Sequence, residues 1–77
     1  MIRELDSVVL TADLLEHGLR AGDVGTVVLV HGNGEGFEVE FIALDGETVA
    51  VVSLFPAQIR PIRQREITHA RKVEEIF

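Results

Sequence analysis

The chain has no cysteine, tryptophan or tyrosine, only two prolines, and a single lysine, Lys72, close to its C-terminal end. Without cysteine, disulfides, thiolate nucleophiles and thiolate zinc sites are excluded together. Without Trp or Tyr, and with only four phenylalanines, the exposed stacking platform on which β-modules hold bases is missing. An aromatic-walled groove for polyproline segments is disfavoured on the same ground. The longest apolar-rich runs, such as 48–56, fall well short of the roughly 18 residues that a membrane helix needs. Met1-Ile2-Arg3-Glu4-Leu5-Asp6 carries acid where a secretory signal has a basic and then an apolar stretch, so the expected location is cytoplasmic.

What is present is a short, acidic, apolar-rich chain. Seventy-seven residues make one domain with a modest core, since a chain of this size hides only about 60% of its unfolded surface. The 47% apolar fraction argues for a folded globule. Charge is divided unevenly: residues 1–59 balance at −8, with Arg3 and Arg20 their only cations, whereas residues 60–77 balance at +2. An acidic body repels a nucleic-acid backbone, so the expected partner is another protein, basic or co-encoded, or a second copy of the chain.

The hydrophobic pattern has the period of strands. Residues 6–11 (DSVVLT) and 24–31 (VGTVVLVH) read as strands separated by an irregular excursion over 12–22. HGNGEG is a turn, because its glycines adopt positive φ cheaply. Phe37-Glu38-Val39-Glu40-Phe41 alternates strictly, directing Phe37, Val39 and Phe41 to the core and Glu38 and Glu40 to water. Asp45-Gly46 marks a short hairpin into ETVAVVSL, in which Val49, Val51 and Ser53 share one face and Thr48, Ala50, Val52 and Leu54 the other. Pro56 stops that strand, and 58–61 reads as one helical turn entering a last short strand. Residues 63–77 place Ile67, Ala70, Val73, Ile76 and Phe77 three and four apart, which predicts an amphipathic helix. The fold class expected is therefore mainly β: a small five-stranded SH3-like barrel over 1–62, with a C-terminal α-helical tail over 63–77.

"AGDVGTVV" raises the prospect of a phosphate loop, but such a loop lies between a strand and a helix N-terminus, and a P-loop adds lysine and a hydroxyl residue. Here Gly22 and Gly25 precede Thr26-Val27-Val28-Leu29-Val30, a poor helix and a good strand. The glycines are read as shaping a curved sheet. The stretches "LDSVVLTADLLEHGLRAGDVGTVVLV", "FEVEF", "LDGETVAVVSL" and "QIRPI" together resemble a family of very small bacterial proteins, domain of unknown function 4926, over residues 5–62. That resemblance implies an SH3-like barrel with no established enzyme activity, and a partner of a neighbouring-gene product in an antitoxin-like or immunity-like role. The glycine-containing strand start is similar, more weakly, to KOW modules, which implies RNA or protein contact.

No catalytic, cofactor or metal site is expected. His17, His31 and His69 have none of the spacings of a metal face and read as surface residues. Ser53, His31 and an aspartate can be drawn as a triad, but a domain this small offers little cleft. The partner-binding candidates are the acidic strand face, Glu38 and Glu40, and the tail residues Arg63, Arg65, Ile67, Ala70, Arg71, Val73 and Phe77. Residues 27–30 and 49–52 are apolar on both alternating faces, so something is expected to cover the second face: the tail, a second copy or a partner. The expected function is a non-catalytic acidic protein-binding module. The alternatives are a KOW-like nucleic-acid module using the basic tail, and a structural homo-oligomer subunit.

Overall fold

Valine-dense and alternating segments pair as one antiparallel five-stranded sheet: β1 (Ser7–Leu10), β2 (Val24–His31), β3 (Gly36–Ile42), β4 (Thr48–Leu54) and β5 (Ile59–Pro61), in the order β4-β3-β2-β1-β5. The structure is a computed structural model and describes residues 1–73. Short 3-10 turns at Leu15–His17 and Pro56–Gln58 are the only helical elements among the described residues. No helix there is long and apolar enough to cross a membrane.

One face of the sheet and the excursion after β1 enclose the core. Phe37, Val39 and Phe41 of β3 are buried as their alternation requires. Across β4 they meet Leu54, Val52 and Ala50, their register partners. β1 lies between β2 and β5, and all of Val8, Val9 and Leu10 are buried, which explains why it carries no alternation to read. Leu14 and Leu19 close the core from the excursion, bridging each other through paired backbone hydrogen bonds of 2.9 and 3.1 Å.

Gly25 answers the question of the glycine-rich strand start. A Cβ built there would lie 2.6 Å from Val39 Cγ1, 2.8 Å from Phe41 Cε1 and 3.0 Å from the Glu40 carbonyl, so only glycine lets β2 approach β3 this closely. Gly22 acts differently: its φ of +96° turns the excursion into β2.

Two expectations need correction. The C-terminal α-helix is absent: among the described residues, 62–73 hold only a turn at 64–65, and Arg65 has φ +67°. A short charged helix is marginal unless its apolar stripe finds a seat, and Ile67 is 91% exposed. Glu74, Glu75, Ile76 and Phe77 lie outside the described residues. The five expected strands do form one antiparallel sheet, with β4 and β5 at its two ends and no ladder joining them among the described residues. The Pro56–Gln58 turn separates those strands, and β5 has only three residues. Finally, the helical turn comes earlier than expected, with 59–61 already in β5.

Candidate functional site

Asp23 is held in place by hydrogen bonds from both backbone and side chain. The Arg20 amide donates to Asp23 Oδ2 at 2.8 Å, while the Asp23 amide donates to the Arg20 carbonyl at 3.0 Å, so a tight reciprocal turn fixes the carboxylate. The Gly22 amide ties the same turn to the Leu10 carbonyl in β1, and the Ala21 amide donates to Asp13 Oδ1, each at 2.8 Å. Into this socket comes Arg71, from 48 residues away in sequence. Its Nε donates to Asp23 Oδ1 at 2.9 Å, a terminal nitrogen donates to Asp23 Oδ2, and that nitrogen also donates to the Gly18 carbonyl at 3.0 Å. Burial pushes the Asp23 carboxyl up, but the Arg71 hydrogen bond, the Arg20 amide and the two guanidinium charges outweigh it, and its pKa lies below the ordinary value.

The segment carrying Arg71 runs as a strap along one side of an open groove of about 1060 Å³, whose other walls are the excursion, the start of β2 and the β3–β4 hairpin. Phe41, Ile42 and Val49 contribute apolar surface to the groove; Glu16, Asp23, Asp45 and Glu47 give the body's side an acidic rim. His69, Arg71 and Lys72 lie along the strap's side. A second device turns the strap back from β5: both Arg60 terminal nitrogens donate to the Glu66 carboxylate, at 2.9 and 2.7 Å, and the Arg63 amide donates to it as well. Those hydrogen bonds, led by Arg60, hold the Glu66 carboxyl down at about 2, and Glu66 in turn raises the Arg60 guanidinium.

The other face of β3 carries the second charged feature. Ser53 Oγ donates to Glu38 at 2.7 Å, and His31 Nε2 lies 2.7 Å from Glu38 Oε2. The Ser53 hydroxyl first, and His31 second, hold the Glu38 carboxyl below its ordinary value. A serine nucleophile needs the imidazole against its hydroxyl; here the carboxylate stands between them, so the arrangement clamps Glu38 across three strand positions. Thr48 Oγ1 donates to Glu40 Oε2 at 2.9 Å. Leu29 and Val51, register partners of Glu38 and Glu40, are 44% and 53% exposed, so this face combines tied carboxylates with uncovered apolar residues.

The sequence-predicted candidates thus fall in two places. Glu38 and Glu40 sit together on the outer face. Arg63, Arg65, Ile67, Ala70, Arg71 and Val73 lie on the turn and strap, Phe77 outside the described residues. The strap seats at the hairpin end and leaves Val28, Leu29 and Val51 between 41% and 53% exposed. Asp23, Gly18 and the acidic rim were missed; the charge contrast between body and tail was their only trace in the sequence. Among the described residues, no three His, Asp or Glu side chains converge to hold a metal ion.

Comparison with known proteins gives one match: a family model described as a domain of unknown function (DUF4926) covers residues 4–61. That is well over half of the chain, and the chain belongs to that family. Searches of curated proteins and of solved structures return no match, and the weaker likeness to KOW modules is not confirmed.

Proposed function

We propose that this member of the family is a non-catalytic protein-binding module whose acidic groove takes an extended, basic segment of a partner protein. The observation that carries this reading is the charge contrast across the groove. Carboxylates from the excursion and the hairpin face a strap bearing His69, Arg71 and Lys72, and the strap's arginine is held by carboxylate and carbonyl acceptors. A groove with apolar surface and an acidic rim favours a cationic chain over a polyanion, because complementary potentials attract the one and repel the other. Two of the five basic groups of the C-terminal segment, Arg60 and Arg71, are already engaged with Glu66 and Asp23, which weakens the case for that segment as a phosphate-binding stripe. The product of a neighbouring gene is the first partner to test, with the module masking a basic surface of that protein.

The test has two arms: co-expression with that gene product, and calorimetric titration with synthetic twelve-residue peptides of equal apolar content carrying arginine or glutamate. The expected result is a complex, or arginine-peptide binding, that weakens with added salt and with the double variant Asp45→Lys/Glu47→Lys. Binding in neither arm, or an RNA complex lost on changing Arg63 and Arg65 to Glu, overturns the reading.

A further inference from the structure

The strap is an addition to the family domain rather than part of it. The family match ends at residue 61, where β5 also ends, and every fully buried apolar residue among those described lies between Val8 and Ile59. Even so, the strap is not a loose end. Arg60 and Glu66 set the turn that reverses it, Arg65 accepts a strained left-handed conformation in that turn, and Arg71 reaches the socket beside Gly22. Between turn and socket little is packed: Ile67 is almost fully exposed, and residues 67–72 are exposed throughout.

A segment placed so specifically yet packed so little is held by polar contacts at its turn and at its socket, among them the Arg60–Glu66 and Arg71–Asp23 ion pairs. Pairs near the surface are weak, and the Arg71 and Asp23 side chains are 27% and 18% exposed. A short tether presents the strap to its socket at an effective concentration in the millimolar range. A free arginine side chain therefore competes poorly. A partner segment that also covers Ile42, which is 47% exposed with the strap in place, adds apolar burial that the strap does not supply, and so displaces it.

We propose that residues 67–73, one wall of the groove, hold the Asp23–Gly18 arginine socket through Arg71 until an arginine-bearing extended segment of a partner protein replaces them there. This rests on the reading of the domain as a basic-segment binder and adds two things to it: an anchor residue, arginine, and an autoinhibited resting state. The socket recognises the guanidinium by its fork: two carboxylate oxygens and a carbonyl receive donors that a lysine ammonium cannot present in the same plane.

The experiment uses the full chain and a fluorescein-labelled peptide of its own residues 62–73, followed by anisotropy. Arg71→Ala vacates the socket and keeps its acceptors. Asp23→Asn retains an oxygen for the Arg20 amide and removes the charge, and circular dichroism of both variants checks the sheet. The expected result is that Arg71→Ala binds the peptide at least about fivefold more tightly than wild type, the factor set by removing roughly 1 kcal/mol of internal competition. Adding Asp23→Asn, or exchanging the peptide's arginine at the Arg71 position for lysine, should abolish that gain. Equal binding by wild type and Arg71→Ala overturns the inference while leaving the module reading intact. Binding of the arginine-rich panel but not of this peptide also overturns only the inference, whereas no peptide binding together with no complex on co-expression removes both. A concentration-dependent dimer that needs Asp23 and Arg71 assigns the socket to the tail of a second copy and overturns the partner assignment.

Discussion

The sheet and the strap belong to one chain and are held by different physics. The sheet is fixed by burial: Val8, Val27 and Val39 are fully inaccessible, and Gly25 is there because the packing leaves no room for a side chain. The strap is fixed by ion pairs at two points, Arg60–Glu66 and Arg71–Asp23, with little apolar contact between them. Burial makes a region cooperative with the whole domain, whereas point attachment lets a region open alone.

Truncating the core should produce the largest effect. Leu10→Ala removes a side chain that is 2% exposed and should cost about 2–5 kcal/mol in urea unfolding. Gly25→Val should cost about 1–3 kcal/mol, because its Cβ would overlap Val39, Phe41 and the Glu40 carbonyl at once. A neutral result would mean that the sheet is less tightly curved here than its register implies. Arg71→Ala should lower global stability by no more than about 1 kcal/mol, yet lower the NMR order parameters of the strap amides without changing those of β1 and β3.

Acid should separate the regions in the same sense. Glu66 is held at about 2 against an ordinary 4.5, so its contribution is complete above about pH 4.5 and is lost as pH falls towards 2. Asp23 is also lowered from its ordinary 3.8 and has the same sign. In an NMR titration the strap resonances should move between pH 5 and 2 before the β3 amides do. Smallest of all, Ile67→Ala should change stability by less than about 0.5 kcal/mol, since a residue 91% exposed has almost nothing to lose.

The same contrast explains what could be read in advance. Strands whose side chains alternate between core and water announce themselves, and β3 is the clearest case; β2 was legible from its β-branched run and β4 from the hairpin before it. The bulge between Val27 and Leu29, which moves Leu29 to the outer face, was not legible, because bulges follow from pairing rather than composition. Helical spacing over 63–77 misled because apolar period predicts a helix only where a partner surface receives the stripe. The strap instead follows hydrogen bonds to Glu66 and Asp23, contacts that spacing does not encode. Glu38 and Glu40 were placed correctly on the outer face, but the clamp from Ser53 and His31 depended on strand register.

The most direct measurement uses the absence of cysteine. Spin labels on Leu44→Cys, at the hairpin, and Lys72→Cys, on the strap, report the separation across the groove by pulsed electron resonance. With Arg71 intact the distances should be short and narrowly distributed, and in the Arg71→Ala background long and broad. Identical distributions in the two backgrounds would contradict the claim that the Asp23 socket holds the strap.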